Sequence, residues 1–260
     1  MPTGPADPSA LFTQAPLQPA ETVAQWGTTL VIAPHPDDES LGCGGAIALL
    51  RQQTIPVHVL FVSDGTMSHP HSQRYPPNAR RALREQEAQN ALAVLGVAPN
   101  DATFLRLPDT QVPTTSSTQF EEAVTRVLRC LEQIQLQTVL VPWRRDPHCD
   151  HQASWQLTRE AVLRWEQPVR WLEYPIWVWE LAQPEDVPRP EDGKLWRLSV
   201  EAVLPLKRRA IAAHVSQTSR LIDDDPEGFM LTPEVLAHFE KPYEIYLEPD
   251  EGRISAHPIL

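Results

Sequence analysis

The sequence predicts an α/β fold: a three-layer, Rossmann-like arrangement with a mostly parallel sheet and helices on both faces. Two observations carry this expectation. Short apolar runs rich in β-branched residues (TTLVIAP, VHVLFVSDG, ATFLRL, TVLVPW) alternate with segments of helical periodicity. Three polar clusters, PHPDDE, SDG and RRDPHCDH, each sit where one of those runs stops. Parallel sheets place their sites at the carboxyl ends of their strands, so clusters in that position are expected to converge.

The elements follow in order. Residues 1–25 are rich in Pro, Ala, Thr and Gln and read as an irregular arm, with 26–260 as a single domain. TTLVIAP is a buried strand. Residues 40–53 read as a helix opening on glycines, and VHVLFVSDG as a second buried strand. Residues 77–96 carry Leu83, Ala88, Leu92 and Leu95 at near-helical spacing, with Gly96 at the stop. ATFLRL is a strand. STQFEEAVTRVLRCLEQIQ is a helix capped by Ser117 or Thr118, with acids in its first turn. TVLVPW is a strand and DHQASWQLTREAVLRW a helix. VRWLEYPIWVWEL reads as irregular and Trp-rich, residues 183–194 as a loop, LWRLSVEAVLPLKRRAIAAHVSQT as strand then helix, and YEIYLEP as an alternating strand.

Composition bounds the function. With 42% hydrophobic residues the 260-residue chain can bury a large core. The net charge of −12 argues against non-specific nucleic-acid binding and against docking on anionic membranes. Cys43, Cys130 and Cys149 are odd in number and suggest no disulfide framework. No apolar run approaches the roughly 20 residues of a membrane span, and no signal-peptide pattern is seen. A cytoplasmic protein is expected, with a homo-oligomer left open.

The chemistry starts at Pro34-His35-Pro36-Asp37-Asp38-Glu39. Imidazole and carboxylate both suit Zn²⁺, and His35 and Asp38 lie three apart on a turn. Asp37 between them points elsewhere and is free to act on a water. Glu39 is placed to bond nearby backbone or a ligand. The flanking prolines stiffen the turn. Gly42, Gly44 and Gly45 match neither GxxxxGK[ST] nor GxGxxG, so close packing of the helix on the sheet is the expectation. Downstream, His148 and His151 are also three apart, so one can bind metal while the other faces substrate. Two donors from the first cluster and one from the second make the three protein ligands of an open catalytic zinc site. The same donors accept Fe²⁺. Asp150 is expected to pair with His148 and hold it charged. Cys149 is expected to point away.

These segments resemble the LmbE/PIG-L family of zinc-dependent N-deacetylases, which includes the deacetylases of N-acetylglucosaminyl-phosphatidylinositol, mycothiol and bacillithiol biosynthesis. APHPDDESLGCGG, VSDG, LREQEAQNALAVLG, PHCDHQA and KRRAIAAHVSQT carry the resemblance. It implies that His35, Asp38 and His151 bind the metal and that Asp37 is the general base. It implies that His148 stabilises the oxyanion, with Asp150 tuning it, and that Arg84 and His214 contact substrate. It further implies hydrolysis of the acetamide of a small N-acetylated sugar or glycoconjugate. Cys149 stands where Pro is common in the family, and Thr66 where a more polar residue often follows SDG.

Two other readings use the same residues. A two-metal phosphohydrolase would recruit Asp64 and Asp146 as bridging carboxylates. A non-catalytic sugar- or nucleotide-binding protein would use Trp171, Trp177 and Trp179 as stacking surfaces, although they serve equally well as core.

Overall fold

A computed structural model describes residues 8–250. Eight strands form one sheet: β1 (Leu17–Gln18), β2 (Thr29–Ala33), β3 (Val57–Ser63), β4 (Ala102–Leu107), β5 (Thr138–Pro142), β6 (Arg170–Tyr174), β7 (Lys194–Ser199) and β8 (Tyr243–Glu248). Nine α-helices accompany them among the described residues: α1 (Ser9–Gln14), α2 (Asp38–Gln52), α3 (Pro77–Leu95), α4 (Phe120–Glu132), α5 (Cys149–Trp165), α6 (Val178–Leu181), α7 (Leu204–Ala213), α8 (Val215–Thr218) and α9 (Pro233–Phe239). The strand order is β1-β7-β8-β6-β5-β2-β3-β4. Strands β6, β5, β2, β3 and β4 run parallel, and β8 runs antiparallel to both its neighbours.

The alternation of β2 sorts the two faces. Val31 and Ala33 pack with α2, α3 and α7. Leu30 and Ile32 pack with α4 and α5. Helices cover both faces, so every residue of β2 and β5 is buried, which is why these strands read as unbroken apolar runs. The expected three layers are therefore present.

Helix α2 is buried through most of its length. Its glycines admit the neighbours: a Cβ on Gly42 would lie 2.3 Å from the Tyr174 ring, and one on Gly45 would lie 2.5 Å from Val200. Close packing, rather than phosphate binding, explains this glycine cluster.

Four expectations need correction. The segment expected to be irregular at 1–25 carries α1, β1 and a 3₁₀ turn (Ala20–Gln25) over its described part, while residues 1–7 lie outside the described residues. Phe12 anchors it against Trp179 at 4.9 Å between ring centroids. Burying a side chain of that size contributes about 1.5–3 kcal/mol, enough to hold a short polar arm in place. The Trp-rich stretch is not irregular: Arg170–Tyr174 is an inner parallel strand beside β5. Glu173 disguised it, a buried acid whose Oε1 accepts the indole N–H of both Trp155 and Trp171 at 3.0 Å. Strand β8 does not alternate, because it lies between β6 and β7 with its central four residues buried. Helix α4 starts after Gln119, and Ser117 Oγ instead accepts the Gln119 N–H in the preceding turn.

Candidate active site

The chain runs from β2 outward through β3 to β4, then returns to lay β5 on the other side of β2. The carboxyl ends of β2 and β5 therefore flank a topological switch point, where open α/β sheets form their crevice. PHPDDE leaves β2 there and enters α2; RRDPH leaves β5 there and enters α5. The fold thus joins two clusters more than a hundred residues apart.

The centre is Asp38 Oδ2. It lies 3.3 Å from His35 Nδ1 and 3.3 Å from His151 Nε2, and it accepts the His35 backbone N–H at 2.9 Å. Burial raises the Asp38 pKa, but His151 and His35 outweigh burial and hold the carboxyl well below its ordinary range. Burial alone would lower the His151 pKa, yet Asp38 and Asp146 together push it up to about 9.

His151 is 0% exposed, and neither ring nitrogen has a hydrogen-bond partner. Asp146 Oδ1 is 3.3 Å from Nδ1 but outside hydrogen-bond geometry. A buried imidazole with an orphaned Nε2 facing a carboxylate shared with a second imidazole is a donor set that fits a borderline cation such as Zn²⁺ or Fe²⁺. Donor atoms of His35, His148 and His151 also lie within 4.8 Å of one another, so His148 shares the same position.

The other face of His35 corrects the expectation for Asp150. His35 Nε2 lies 3.2 Å from Asp150 Oδ2 and 3.3 Å from Asp109 Oδ1. Asp150 also accepts the backbone N–H of Thr110 at 2.7 Å and of Val112 at 3.2 Å, and Asp109 accepts that of Met67 at 2.7 Å. Both carboxyls are held low: burial raises them, and the bonds to His35 and the backbone more than reverse it. Asp150 therefore orients His35, not His148. Its backbone N–H, by contrast, donates to His148 Nδ1 at 3.2 Å and caps α5. That contact leaves His148 Nε2 to carry the proton. Burial first, then the neighbouring His35 and His151, lowers the His148 pKa to about 4, which runs against the expectation that Asp150 holds it charged.

Asp37 lines a cavity of about 400 Å³ together with His35, Asp38 and His148 of this centre. Burial raises its pKa to about 6, against the lowering pull of Arg84. The Arg84 guanidinium donates to Asp37 Oδ2 at 2.9 Å, Pro36 O at 2.8 Å and Gly65 O at 3.0 Å. Gly65 (φ +62°) makes room for it: a Cβ there would lie 2.6 Å from Arg84 Nη1. The SDG turn thus fixes the arginine, and the arginine fixes Asp37.

His214 does not line the cavity. Its Nε2 is 2.9 Å from Glu39 Oε1, and both groups are buried. Cys149 is exposed, with its Sγ 3.8 Å from Asp150 Oδ1. Trp171 is core, whereas Trp177 lines the cavity.

Asp109 was missed by sequence reasoning. It follows β4 in LPDT, a fourth acid at a strand end, and that position is the signal that could have found it. Asp146, weighed only as a bridging ligand, instead spreads its oxygens over protein groups. Oδ1 faces His151, while Oδ2 accepts the backbone N–H of Ile176 and Trp177 at 3.0 and 2.9 Å. Glu87 was also missed; it accepts the backbone N–H and the hydroxyl of Ser216 at 2.8 and 2.7 Å and so locks α8 to α3.

Known proteins resemble this chain in both sequence and fold. A family described as PIG-L, GlcNAc-PI de-N-acetylase, matches residues 30–162, just over half the chain. A relative from Bacillus subtilis (strain 168), the "Probable N-acetyl-alpha-D-glucosaminyl L-malate deacetylase 2", is 28% identical over 84% of this chain and 95% of its own. The N,N'-diacetylchitobiose deacetylase from Pyrococcus horikoshii superposes with a TM-score of 0.60 at 21% identity, covering 75% of this chain and 72% of that one. GalB, a 4-carboxy-2-hydroxymuconate hydratase, superposes with a TM-score of 0.58 at 21% identity, covering 82% of each chain. At such identity a structural likeness shows the fold alone, and the fold hosts more than one chemistry. The sequence match is what decides membership: the chain belongs to the PIG-L (LmbE-like) family.

Proposed function

We propose that this protein is a metal-dependent N-deacetylase that hydrolyses the acetamide of an N-acetylated sugar or glycoconjugate. The observation that carries the reading is the division of labour between adjacent carboxylates. Asp38 is held ionised between two imidazoles, while Asp37 is buried at the cavity wall with its pKa near 6. Two carboxyls driven apart in pKa by their surroundings mark a ligand and a base.

In this reading His35, Asp38 and His151 hold the cation, with zinc or ferrous iron both suited to the donors. A cation there supplies Lewis-acid polarisation and lowers the pKa of its water. Asp37 takes a proton from the attacking water, and Arg84 keeps the carboxylate aimed. His148 Nε2–H donates to the oxygen that gains charge as the carbonyl is attacked. Asp37 then returns its proton to the departing amine, which leaves acetate and a free amino sugar. Arg84 Nη1 and Nη2 bond to Asp37 and the turns, which favours a positioning role over direct substrate contact, while its buried Nε has no partner.

The two-metal alternative is not favoured. Asp146 directs Oδ2 at backbone N–H groups, and Asp64 Oδ1 accepts the N–H and hydroxyl of Thr66 at 3.1 and 2.8 Å.

The test is Asp37→Asn. The variant binds one equivalent of zinc as tightly as the parent, while acetate release from N-acetylglucosaminides drops about 10²–10⁴-fold. Normal turnover by the variant would remove Asp37 as the base.

A further inference from the structure

The cavity over Asp37 and His148 also has apolar walls that the deacetylation chemistry does not use. Its walls are Leu41, Met67, Trp177, Leu181, Phe229 and Leu231. Met67 is 45% exposed and Leu181 52% exposed, which places two large apolar side chains at the rim of a polar centre. Exposed apolar surface continuous with a reactive cleft is a ligand surface more often than an accident of composition.

These walls are built. Trp177 is set by its backbone N–H to Asp146 Oδ2, the carboxylate that also faces His151. Phe229 meets Trp177 edge-on, with ring centroids 5.7 Å apart at 77°. The Phe229 N–H donates to Ser68 O at 2.6 Å, and the Leu231 N–H to Gln217 O at 2.8 Å. The loop after β3 and the loop before α9 are also tied by the His71 N–H on Asp225 and by the Ser72 hydroxyl and Gln73 N–H on Asp224. An apolar ligand would enter a surface that needs little ordering.

Charge points the same way. Arg84 is the one guanidinium or ammonium lining the cavity among the described residues; it is 4% exposed and its Nη1 and Nη2 are bonded to Gly65 O, Pro36 O and the Asp37 carboxylate, with only the buried Nε unpartnered. Asp37, Asp38 and Asp109 line the same space. An anionic aglycone would find three carboxylates and one buried cation that is already paired with Asp37.

We infer that the substrate is a neutral glycoside whose aglycone is apolar, an alkyl or aryl group lying on Trp177, Phe229 and Leu181 while the acetamide sits over Asp37 and His148. This rests on the deacetylase reading above, so the test separates the two.

Zinc-loaded protein is given methyl N-acetylglucosaminide, octyl N-acetylglucosaminide, and an N-acetylglucosaminide of a dicarboxylic hydroxy acid, and acetate release is followed. The octyl glycoside should exceed the methyl glycoside about 100-fold in kcat/KM, as expected for seven further methylenes roughly half removed from water. The dicarboxylate should do no better than methyl. Leu181→Asp combined with Met67→Asp places acids at two exposed rim positions, and it should cut the octyl-to-methyl ratio at least about tenfold. Acetate release with an octyl-to-methyl ratio near one, or with the dicarboxylate preferred, overturns this inference and leaves the deacetylase reading standing. Should no glycoside release acetate, the deacetylase reading fails, and calorimetry with octyl and methyl glucoside decides the apolar site alone. Octyl binding about 30-fold tighter upholds it; equal binding overturns it.

Discussion

Replacing Asp150 by Asn distinguishes two accounts of this residue. Three donors converge on its two oxygens: the N–H groups of Thr110 and Val112, and His35 Nε2 at 3.2 Å. Asparagine keeps one acceptor oxygen and substitutes an NH₂ for the other. At least one buried donor then faces another donor, which costs about 1–3 kcal/mol. At roughly 2–4 °C per kcal/mol for a chain of this size, Tm falls by about 2–12 °C. The ring of His35 also loses the carboxylate that fixes its tautomer and raises its basicity. Losses of that kind weaken metal binding about 10–100-fold. Chelator competition at fixed pH measures zinc affinity, and acetate release at saturating zinc measures turnover. The geometry requires that affinity fall and that saturating zinc restore much of the turnover. If instead zinc affinity stayed within twofold of the parent while turnover collapsed, Asp150 would act on His148, and the orienting role on His35 would be wrong.

Further outcomes follow from other contacts. Zinc binding to metal-free protein at pH 7 releases about two protons. His35 and His151 both have raised pKa values there, so both start protonated, and both must lose a proton to ligate; calorimetry in buffers of different ionisation enthalpy reads the number, and zero would refute it. Arg84→Met removes the donor that pins Asp37 and leaves zinc affinity intact; kcat falls about 10²-fold and KM changes little, because the arginine positions the base rather than the sugar. A large rise in KM alone would make Arg84 a substrate ligand. Gly42→Ala destabilises by about 1–3 kcal/mol in chemical denaturation, despite the better helix propensity of alanine, because its Cβ would meet Tyr174 at 2.3 Å. A stabilised variant would refute the packing argument.

Much of this was legible because the physical signals were local. Strands β2 and β5 are covered on both faces, so their sequences are continuous apolar runs that mark themselves. His35, Asp38, His148 and His151 stood out because polar clusters at strand ends have few structural reasons to exist. What stayed hidden depends on contacts between distant segments. Strand β6 was masked by Glu173, whose partners Trp155 and Arg144 come from elsewhere in the chain. The arm was masked because its polar composition says nothing of Phe12 docking on Trp179. Asp150 was assigned to the nearest histidine in sequence. In space its carboxylate meets His35, 115 positions away, because α5 starts with that side chain facing the end of β2. Arg84 was legible as a site residue through the resemblance, but its commitment to Asp37 and the SDG turn required the fold.

The central claim is a single hydrolytic metal position at the switch point, held by His35, Asp38 and His151. Elemental analysis of protein purified without chelator or metal-affinity resin tests it most directly, with His151→Ala measured beside the parent. The account predicts about one equivalent of zinc or iron per parent chain and a loss of most of it in the variant. Two equivalents in the parent, or an undiminished equivalent in the variant, would contradict it.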